Sequence, residues 1–181
     1  WWQGQRNLVT QNAVSKPADL AGVRMRTPGA PVWIETIKAM GATPTPMGWT
    51  EVYPALQQNA IDAAEAQDTA VFGAKLYEVA KHLTKTGHIG LLTGLVTSGQ
   101  WFDSLPDDLK TIVSEEALAA GDAASKGTEE AIATVDAEME KAGMSIDEID
   151  VTPFKEATAG VYETLGYGDL KKQVDAVLAG N

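Results

Sequence analysis

The stretch that decides the fold is Val23-Arg24-Met25-Arg26-Thr27-Pro28-Gly29, residues 23–29. Its alternating apolar and polar side chains predict a short strand that ends in a Pro-Gly turn. A helical pattern follows at once over Pro31–Met40, and Gly41 marks its end. Arg26 is therefore expected at the carboxyl end of a strand and ahead of a helix, where open α/β sheets bind ligands. Its planar guanidinium matches the geometry of a carboxylate.

Strand and helix patterns alternate on both sides of this stretch, which indicates βαβ units and a largely parallel sheet. The two prolines of Thr43–Met47 favour an edge or linker strand there. Pro17–Leu20 is expected to form a turn or a single helical turn. The other predicted strands are Arg6–Asn12, Ala60–Ala66 and two extended segments within Leu83–Thr97, the second of them buried; the other predicted helices are Glu51–Asn59 and Ala70–Lys81.

A long helix is predicted over Pro106–Ala142, with Ser104 as its N-cap and Gly143 at its end. At 1.5 Å per residue, roughly 37 residues would span about 55 Å, which is longer than one small lobe. A coiled coil is an alternative, but apolar heptads are not sustained along the helix. Gln100–Leu105 is expected to be a short connector. A short extended piece at Met144–Ile149 and helices over Pro153–Leu165 and Leu170–Leu178 are expected to complete the chain.

Composition narrows the classes of function that the chain can serve. The 181 residues carry a formal net charge of −11 and are 44% hydrophobic, so a sizeable core is expected. The acidic balance argues against binding of nucleic acid or of anionic lipid, both of which need a basic face. With no cysteine, disulfides and cysteine-based metal sites are excluded. No apolar run is long enough for a transmembrane helix, so no membrane insertion of this chain is expected.

Several blocks of sequence carry a resemblance to a known family, and they occur in the family's order and spacing. The chain resembles the solute-binding proteins of tripartite ATP-independent periplasmic (TRAP) transporters over essentially its whole length. The blocks are Ala18–Pro28, Met40–Met47, Trp49–Gln58, Ile61-Asp62 and Lys75–Lys81.

The resemblance implies a periplasmic-binding-protein-like α/β fold with two lobes and mixed or parallel sheets, in which the long helix forms an inter-lobe spine. Residues 1–90 are then expected to form the ligand-binding lobe. Residues 91–130 would contribute to the other lobe together with the long helix, and residues 131–181 would return to the first lobe with the C-terminal helices. The chain opens at Trp1 in what looks like mid-fold sequence, and we expect a processed piece or a fragment that lacks most of the N-terminal lobe.

The resemblance also implies which residues contact ligand. Arg26 corresponds to the main carboxylate partner of the family, and Gly4-Gln5-Arg6 matches a second arginine that faces the ligand. Two guanidiniums could hold both ends of a diacid, or a carboxylate and a hydroxyl. Trp49 falls where the family has an aromatic wall of the pocket, although ordinary core packing is the alternative. Thr27 and Gly29 border Arg26 and are expected to offer backbone N–H groups to a carboxylate.

One segment departs from the family pattern. Many relatives show glutamine–glutamate–asparagine–proline where this chain has Ala64-Glu65-Ala66-Gln67, so the asparagine's hydrogen bond to ligand cannot be carried over. Gln67 or Asp68 is the candidate substitute. Glu65 is expected to organise the loop or to pair with an arginine. The departure leaves the identity of the acid open, including any assignment resembling sialic acid.

The resemblance implies a periplasmic receptor that captures a small organic acid, such as a C4-dicarboxylate or a sugar acid, and delivers it to TRAP membrane permease subunits. We expect no catalysis and no cofactor. We also expect no metal, because His82 and His88 lack metal-ligand spacing. The alternatives are an α/β enzyme that acts on a small carboxylate and a structural helical adaptor. The sequence shows neither a nucleophile signature nor a phosphate-binding glycine loop for the enzyme, and the adaptor leaves the α/β portion unexplained.

Overall fold

A computed structural model describes residues 1–180, which form a mixed six-stranded sheet with helices packed against it. The strands are β1 (Trp2–Thr10), β2 (Arg24–Thr27), β3 (Thr43–Pro46), β4 (Ala63–Gln67), β5 (His82–Leu92) and β6 (Ser145–Asp147). The helices are α1 (Pro31–Ala39), α2 (Val52–Gln57), α3 (Asp68–Gly73), α4 (Gly99–Asp103), α5 (Asp107–Lys141), α6 (Thr152–Thr158), α7 (Val161–Thr164) and α8 (Gly168–Leu178). Short 3-10 turns lie at Pro17–Leu20, Trp49–Glu51 and Leu76–Glu78.

The strand order is β3-β2-β4-β1-β5-β6, so the proline-containing β3 is an edge strand, as its sequence predicts. The pairs β2–β3, β2–β4 and β5–β6 are parallel, as βαβ connections require. The expectation of a largely parallel sheet is nevertheless incomplete, because β1 runs antiparallel to both of its neighbours, β4 and β5. In the β1–β4 register, Arg6 lies opposite Gln67 and Leu8 lies opposite Glu65. These four side chains therefore share one face of the sheet.

Two hydrophobic cores flank the sheet, because successive side chains of a strand point to opposite faces. Val9 and Ala64 contribute to one core, with Met139 from α5, while Leu8 and Ala63 contribute to the other. Further buried members of the first core are Val52, Leu56, Ile61, Ala66, Val71, Leu76, Ala80, Leu83 and Met144, and those of the second are Val14, Leu20, Met25, Ile37, Met40, Ala42 and Phe154.

The predicted long helix is present as α5, which runs unbroken for 35 residues. Its only fully buried residues are Gly121 and Met139; half-buried residues lie along one side of the helix, which packs against β1, α3 and β6, and the other sides are exposed. Ser104 does not cap it, because Pro106 holds the N-cap position and the Ser104 hydroxyl donates to the carbonyl of Trp101 instead. No helix within residues 1–180 has the length and apolar character that crossing a bilayer requires.

The segment between β5 and α5 differs most from the sequence-based expectation. β5 is one strand that ends at Leu92, and its irregular pairing with β1 accommodates Gly87 at φ +54°. The prediction of a buried strand over residues 90–97 is wrong, because the chain leaves the sheet after Leu92 and Val96 is 89% exposed. Leu92 and Leu95 are also largely exposed. The connector over residues 100–105 contains the short helix α4.

Two predicted helices are shorter than their patterns suggest. The helix expected over residues 70–81 ends as α3 at Gly73, because Lys75 adopts a left-handed conformation with φ +55°. The helix expected over residues 153–165 is divided into α6 and α7 around Ala159 and Gly160. Glycine has low helix propensity, which favours such a break.

Candidate functional site

A cavity of about 270 Å³ opens at the carboxyl ends of β2 and β4, where the sequence places the ligand site. It brings together four of the six predicted site residues, and its lining contains two positive groups and no carboxylate. The lining residues are Arg6, Arg26, Pro28, Trp49, Gln67 and Ala70.

Arg26 is held in this cavity by the chain segment that follows β3. Its Nε and Nη2 atoms both donate to the carbonyl of Met47, at 3.1 and 2.9 Å. A guanidinium has five N–H groups, so three of them remain free. The guanidinium carbon lies 5.3 Å from the ring centroid of Trp49, in cation–π geometry. The residue is only 5% exposed and has no carboxylate partner within residues 1–180.

The electrostatic environment of Arg26 leaves its positive charge without a direct counter-ion. Burial lowers the pKa of the Arg26 guanidinium from its usual value, and the nearby charge of Arg6 acts in the same direction. The carboxylate of Glu65 opposes this decrease but makes no direct contact with Arg26. An arginine remains charged in proteins even when buried. A carboxylate arriving in the cavity would therefore meet a desolvated cation that lacks a partner.

Arg6 is also buried, but its charge is already matched. Its Nε and Nη2 atoms both donate to the Glu65 carboxylate, the Nη2–Oε1 distance being 2.6 Å, and Nη2 also donates to the Glu65 carbonyl at 2.8 Å. The side chain of Glu65 is fully buried. The structure thus confirms that Glu65 pairs with an arginine, and the bidentate geometry is the strong form of such a pair.

Gln67 lies beside Arg6 at the rim of the cavity. Its Oε1 atom accepts from Nη1 of Arg6 at 2.9 Å, so the amide nitrogen of Gln67 is left as a donor that can face the cavity. Asp68, the other candidate substitute for the missing asparagine, points away from the cavity and accepts from Asn7. The structure therefore places Gln67, rather than Asp68, beside the arginines.

Trp49, Thr27 and Gly29 lie in three different environments. Trp49 lines the cavity, but one face of its ring is covered by Arg26, so that face is not available to a ligand. Thr27 is fully buried and its hydroxyl has no hydrogen-bond partner. Gly29 is exposed, and nothing lies within 4 Å of the position that a Cβ atom would take. Neither Thr27 nor Gly29 lines the cavity.

Sequence reasoning missed two side chains that surround the arginines. The ring of Trp33, on α1, lies 5.9 Å from the guanidinium carbon of Arg6. The imidazole of His88 has its Nε2 atom 3.5 Å from Glu65 and its Nδ1 atom 2.7 Å from Thr86 Oγ1. Trp33 lies in the first turn of the helix that follows Arg26, and this position in the sequence could have identified it. His88 gives no such signal, since the irregular pairing of β5 brings it to Glu65.

The two histidines have separate partners. His82 contacts Asp147 at 2.7 Å and is remote from His88 in the sheet. Within residues 1–180, no group of three or more histidine, aspartate or glutamate side chains has the arrangement of a metal site.

A second buried charge cluster lies between the sheet and α5, and the sequence did not predict it. Lys85 contacts Asp68 at 3.1 Å and Asp136 of α5 at 2.6 Å. Asn7 donates to Asp68 at 2.9 Å and accepts from the backbone N–H of Gly87 at 3.0 Å. Asn7 and Arg6 are adjacent on β1 and point to opposite faces, so this cluster is separate from the cavity.

Cavity size alone does not identify the site. A larger cavity, of about 430 Å³, lies between β5 and helices α6–α8. Its lysine Lys171 is already paired with Asp175, and Lys155 is exposed. The smaller cavity is distinguished by Arg26, which is buried and has no carboxylate partner.

The fold and the cavity define a lobe that can bind a small anion. The profile of the family "Bacterial extracellular solute-binding protein, family 7" matches residues 1–168, so the chain belongs to this family. Members of the family are solute-binding proteins rather than enzymes, which removes the support for the enzyme hypothesis.

Individual relatives agree with this assignment. The sialic acid-binding periplasmic protein SiaP of Vibrio cholerae is 31% identical over 163 residues, which cover 90% of this chain and 51% of that relative. A TRAP periplasmic solute-binding protein from Escherichia fergusonii, solved in an apo open form, is 52% identical with a TM-score of 0.89, over 97% of this chain and 60% of that one. A TRAP periplasmic solute-binding protein from Pseudomonas putida F1 with bound D-glucuronate is 31% identical with a TM-score of 0.90. The match covers 97% of this chain and 58% of that one. The chain thus spans about half the length of the curated relative.

Proposed function

We propose that the chain is the arginine-bearing part of a periplasmic TRAP receptor that captures a small organic acid through Arg26. The observation that carries the proposal is the charge state of the cavity: Arg26 is 5% exposed, keeps three N–H groups free and has no carboxylate partner within residues 1–180. A carboxylate can accept two parallel hydrogen bonds from such a guanidinium. Relatives named for sialic acid and for 2,3-diketo-L-gulonate support an acid as the ligand.

The other predicted contacts enter the proposal with different roles. Arg6 and Gln67 offer N–H donors next to Arg26, and Trp49 holds the Arg26 guanidinium against one face of its ring. Thr27 and Gly29 are proposed to present backbone N–H groups at the turn after β2.

We further propose that the receptor has a second lobe and delivers its ligand to membrane permease subunits. In this proposal residues 1–90 and 131–181 form the ligand-binding lobe, and residues 91–130 contribute to the other lobe. The exposed apolar side chains of this segment support that division, because a large exposed apolar surface marks a site of contact with another part of a protein. They include Leu92, Leu95, Val96, Leu109, Ile112 and Leu118.

The test is thermal unfolding of the natural protein with a panel of organic acids and their amide or alcohol counterparts. We expect one class of acid to raise the melting temperature and its neutral counterparts to have no effect. Arg26→Ala should weaken acid binding about 100-fold, because it removes a charged hydrogen-bonding partner worth roughly 2.7 kcal/mol.

Arg24→Ala is the matched control, because Arg24 lies on the same strand but is exposed and paired with Asp62. This control should bind acid as tightly as the unmodified protein does. Unchanged affinity in Arg26→Ala, or no response to any acid in a folded protein, would contradict the proposal.

A further inference from the structure

Three pairs of neighbouring residues connect the cavity to the charge cluster around Lys85 on the other face of the sheet. In each pair, one residue lines the cavity or contacts Glu65, and the other belongs to the cluster or binds a member of it. The pairs are Arg6 and Asn7 on β1, Gln67 and Asp68 at the end of β4, and His88 and Gly87 on β5. Because the members of each pair share a peptide bond, a shift of the cluster moves the backbone that carries the cavity side chains.

The hydrogen bonds of the cluster join these backbone segments to one another and to α5. Asn7 donates to Asp68 at 2.9 Å and accepts from the N–H of Gly87 at 3.0 Å, so it connects β1 to the segments on both of its sides. Lys85 contacts Asp68 at 3.1 Å and Asp136 at 2.6 Å. Asp136 is the member that α5 supplies, so Lys85 is the contact through which α5 acts on Asp68 and the end of β4.

The cluster also has room to rearrange. A cavity of about 250 Å³ borders Asn7, Asp68 and Lys85, and Ile132 of α5 lines it as well. The Oδ1 atom of Asp136 is buried and has no hydrogen-bond partner within residues 1–180. A lysine has three N–H donors on a flexible stem, so Lys85 can exchange one aspartate oxygen for another when α5 shifts. Energetic coupling between two sites requires an element with two such arrangements.

We infer that Lys85 is a positioning residue for acid binding, which couples the position of α5 on the sheet to the placement of Arg6 and Gln67 at the cavity. The inference rests on the proposed function and adds a residue that acts on the acid without contacting it. In the proposed division of the chain, α5 passes from one lobe to the other, and Asp136 lies near its entry into the ligand-binding lobe. The affinity for an acid then depends on the position of α5, and a bound acid favours one position of α5 in return, because coupling is reciprocal.

The test separates affinity from stability with two variants that both destabilise the fold. Lys85→Met removes the contact between α5 and Asp68, whereas Leu20→Ala leaves a void in the other core, ahead of the amino end of β2. Isothermal titration of the natural protein and of the folded variants uses D-glucuronate, D-galacturonate, L-galactonate and sialic acid at constant pH and ionic strength. Lys85→Met should weaken the tightest of these acids about 10-fold. Leu20→Ala should change its affinity less than about 2-fold, because distant sites act independently.

A double-variant cycle tests whether Lys85 acts through the cavity side chains. Gln67→Ala removes one of the two groups that Lys85 positions, so Lys85→Met in that background should weaken the same acid only about 3-fold. An equal loss in both backgrounds would show that Lys85 acts independently of Gln67, and it would overturn the inference.

Asp136→Asn carries the test if Lys85→Met does not fold. It keeps the lysine and the shape of the side chain but removes the charge that α5 supplies, and it should weaken the same acid about 3-fold. Glu129→Gln is the matched control, because Glu129 is an exposed carboxylate of the same helix. This control should leave the affinity unchanged.

The outcomes separate this inference from the proposed function. Unchanged affinity in a folded Lys85→Met or Asp136→Asn protein, or an equal loss of affinity in Leu20→Ala, overturns the inference while the proposed receptor function stands. If no acid of the panel or of the wider thermal-unfolding screen binds, the proposed function fails and the inference fails with it.

Discussion

The two buried charge clusters of this chain contain similar groups and are built for different purposes. At the cavity, two arginines face one glutamate, and the unmatched group is the cation Arg26. Between the sheet and α5, two aspartates face one lysine, and the excess charge is negative. The cavity cluster leaves its excess charge beside the cavity, where we propose that an anion binds. The second cluster encloses its lysine and joins α5 to β5 and α3.

Lys85→Met should produce the largest loss of stability. It leaves Asp68 and Asp136 facing each other without a cation, and breaking a buried ion pair in this way costs about 3 kcal/mol. Chemical denaturation measures the change. Lys126→Met, which removes an exposed pair with Glu130, is the control and should change little. Equal stability of the two variants would show that the Lys85 cluster does not hold α5 to the sheet.

Arg26→Met should have the opposite effect on the fold. It removes a desolvated cation that has no carboxylate partner, so the free energy of unfolding should stay constant or rise by up to about 1 kcal/mol. Binding of acid should be lost in the same variant. A large loss of stability would mean that Arg26 serves the fold as Lys85 does, and the contrast between the clusters would disappear.

Asp136→Asn tests the excess negative charge through pH. Burial raises the pKa of Asp136, with nearby Asp68 and Glu140 acting in the same direction and Lys85 opposing them. A carboxyl whose pKa is raised by folding stabilises the protein at low pH, and this contribution is lost as the pH rises through the raised pKa. At pH 7 the free energy of unfolding of the variant should differ from that of the unmodified protein by less than about 1 kcal/mol. As the pH falls from 7 towards 4, the free energy of unfolding of the unmodified protein should rise relative to that of the variant. A difference in this free energy that does not change with pH would contradict the prediction.

Asp62→Asn should give the smallest effect, because the Arg24–Asp62 pair is exposed. Hydrogen bonds from Arg24 lower the pKa of Asp62 from 3.8 to about 2. The pair therefore stabilises the fold above pH 3.8, and this contribution disappears as the pH falls towards 2. When both proteins are titrated with acid from pH 3.8 to about pH 2, the variant should lose less unfolding free energy than the unmodified protein. An identical acid profile would indicate that solvent screens the pair completely.

Local sequence predicted those parts of the molecule that local interactions determine. The strand that contains Arg26 and ends at Thr27, the helix that follows it and the long α5 were predicted because each has its own periodicity and its own terminating residues. The edge position of β3 followed from its prolines, which cannot donate to a neighbouring strand.

The parts that could not be predicted depend on partners distant in the sequence. The pairing of Arg6 with Glu65 follows from the antiparallel register of β1 and β4, and no local pattern specifies that register. The contact of Lys85 with Asp136 depends in the same way on the packing of α5 against the sheet, which no local pattern specifies. The exposed apolar residues around Val96 were predicted to form a buried strand. An apolar composition favours burial, but it does not indicate which part of a protein would cover these residues.

The position of β1 in the middle of the sheet also determines when the cavity can exist. β1 precedes the other five strands of this sheet in the sequence, yet its partners lie as far away as Gln67 and Leu92. Closing such long loops is entropically expensive, and domains rich in distant pairings fold slowly. During synthesis, Arg6 and Arg26 emerge before Glu65 and Gln67. Both guanidinium groups are therefore hydrated until β4 has been synthesised. The cavity is thus a late product of folding, completed only after β4 has been synthesised and has paired with β1.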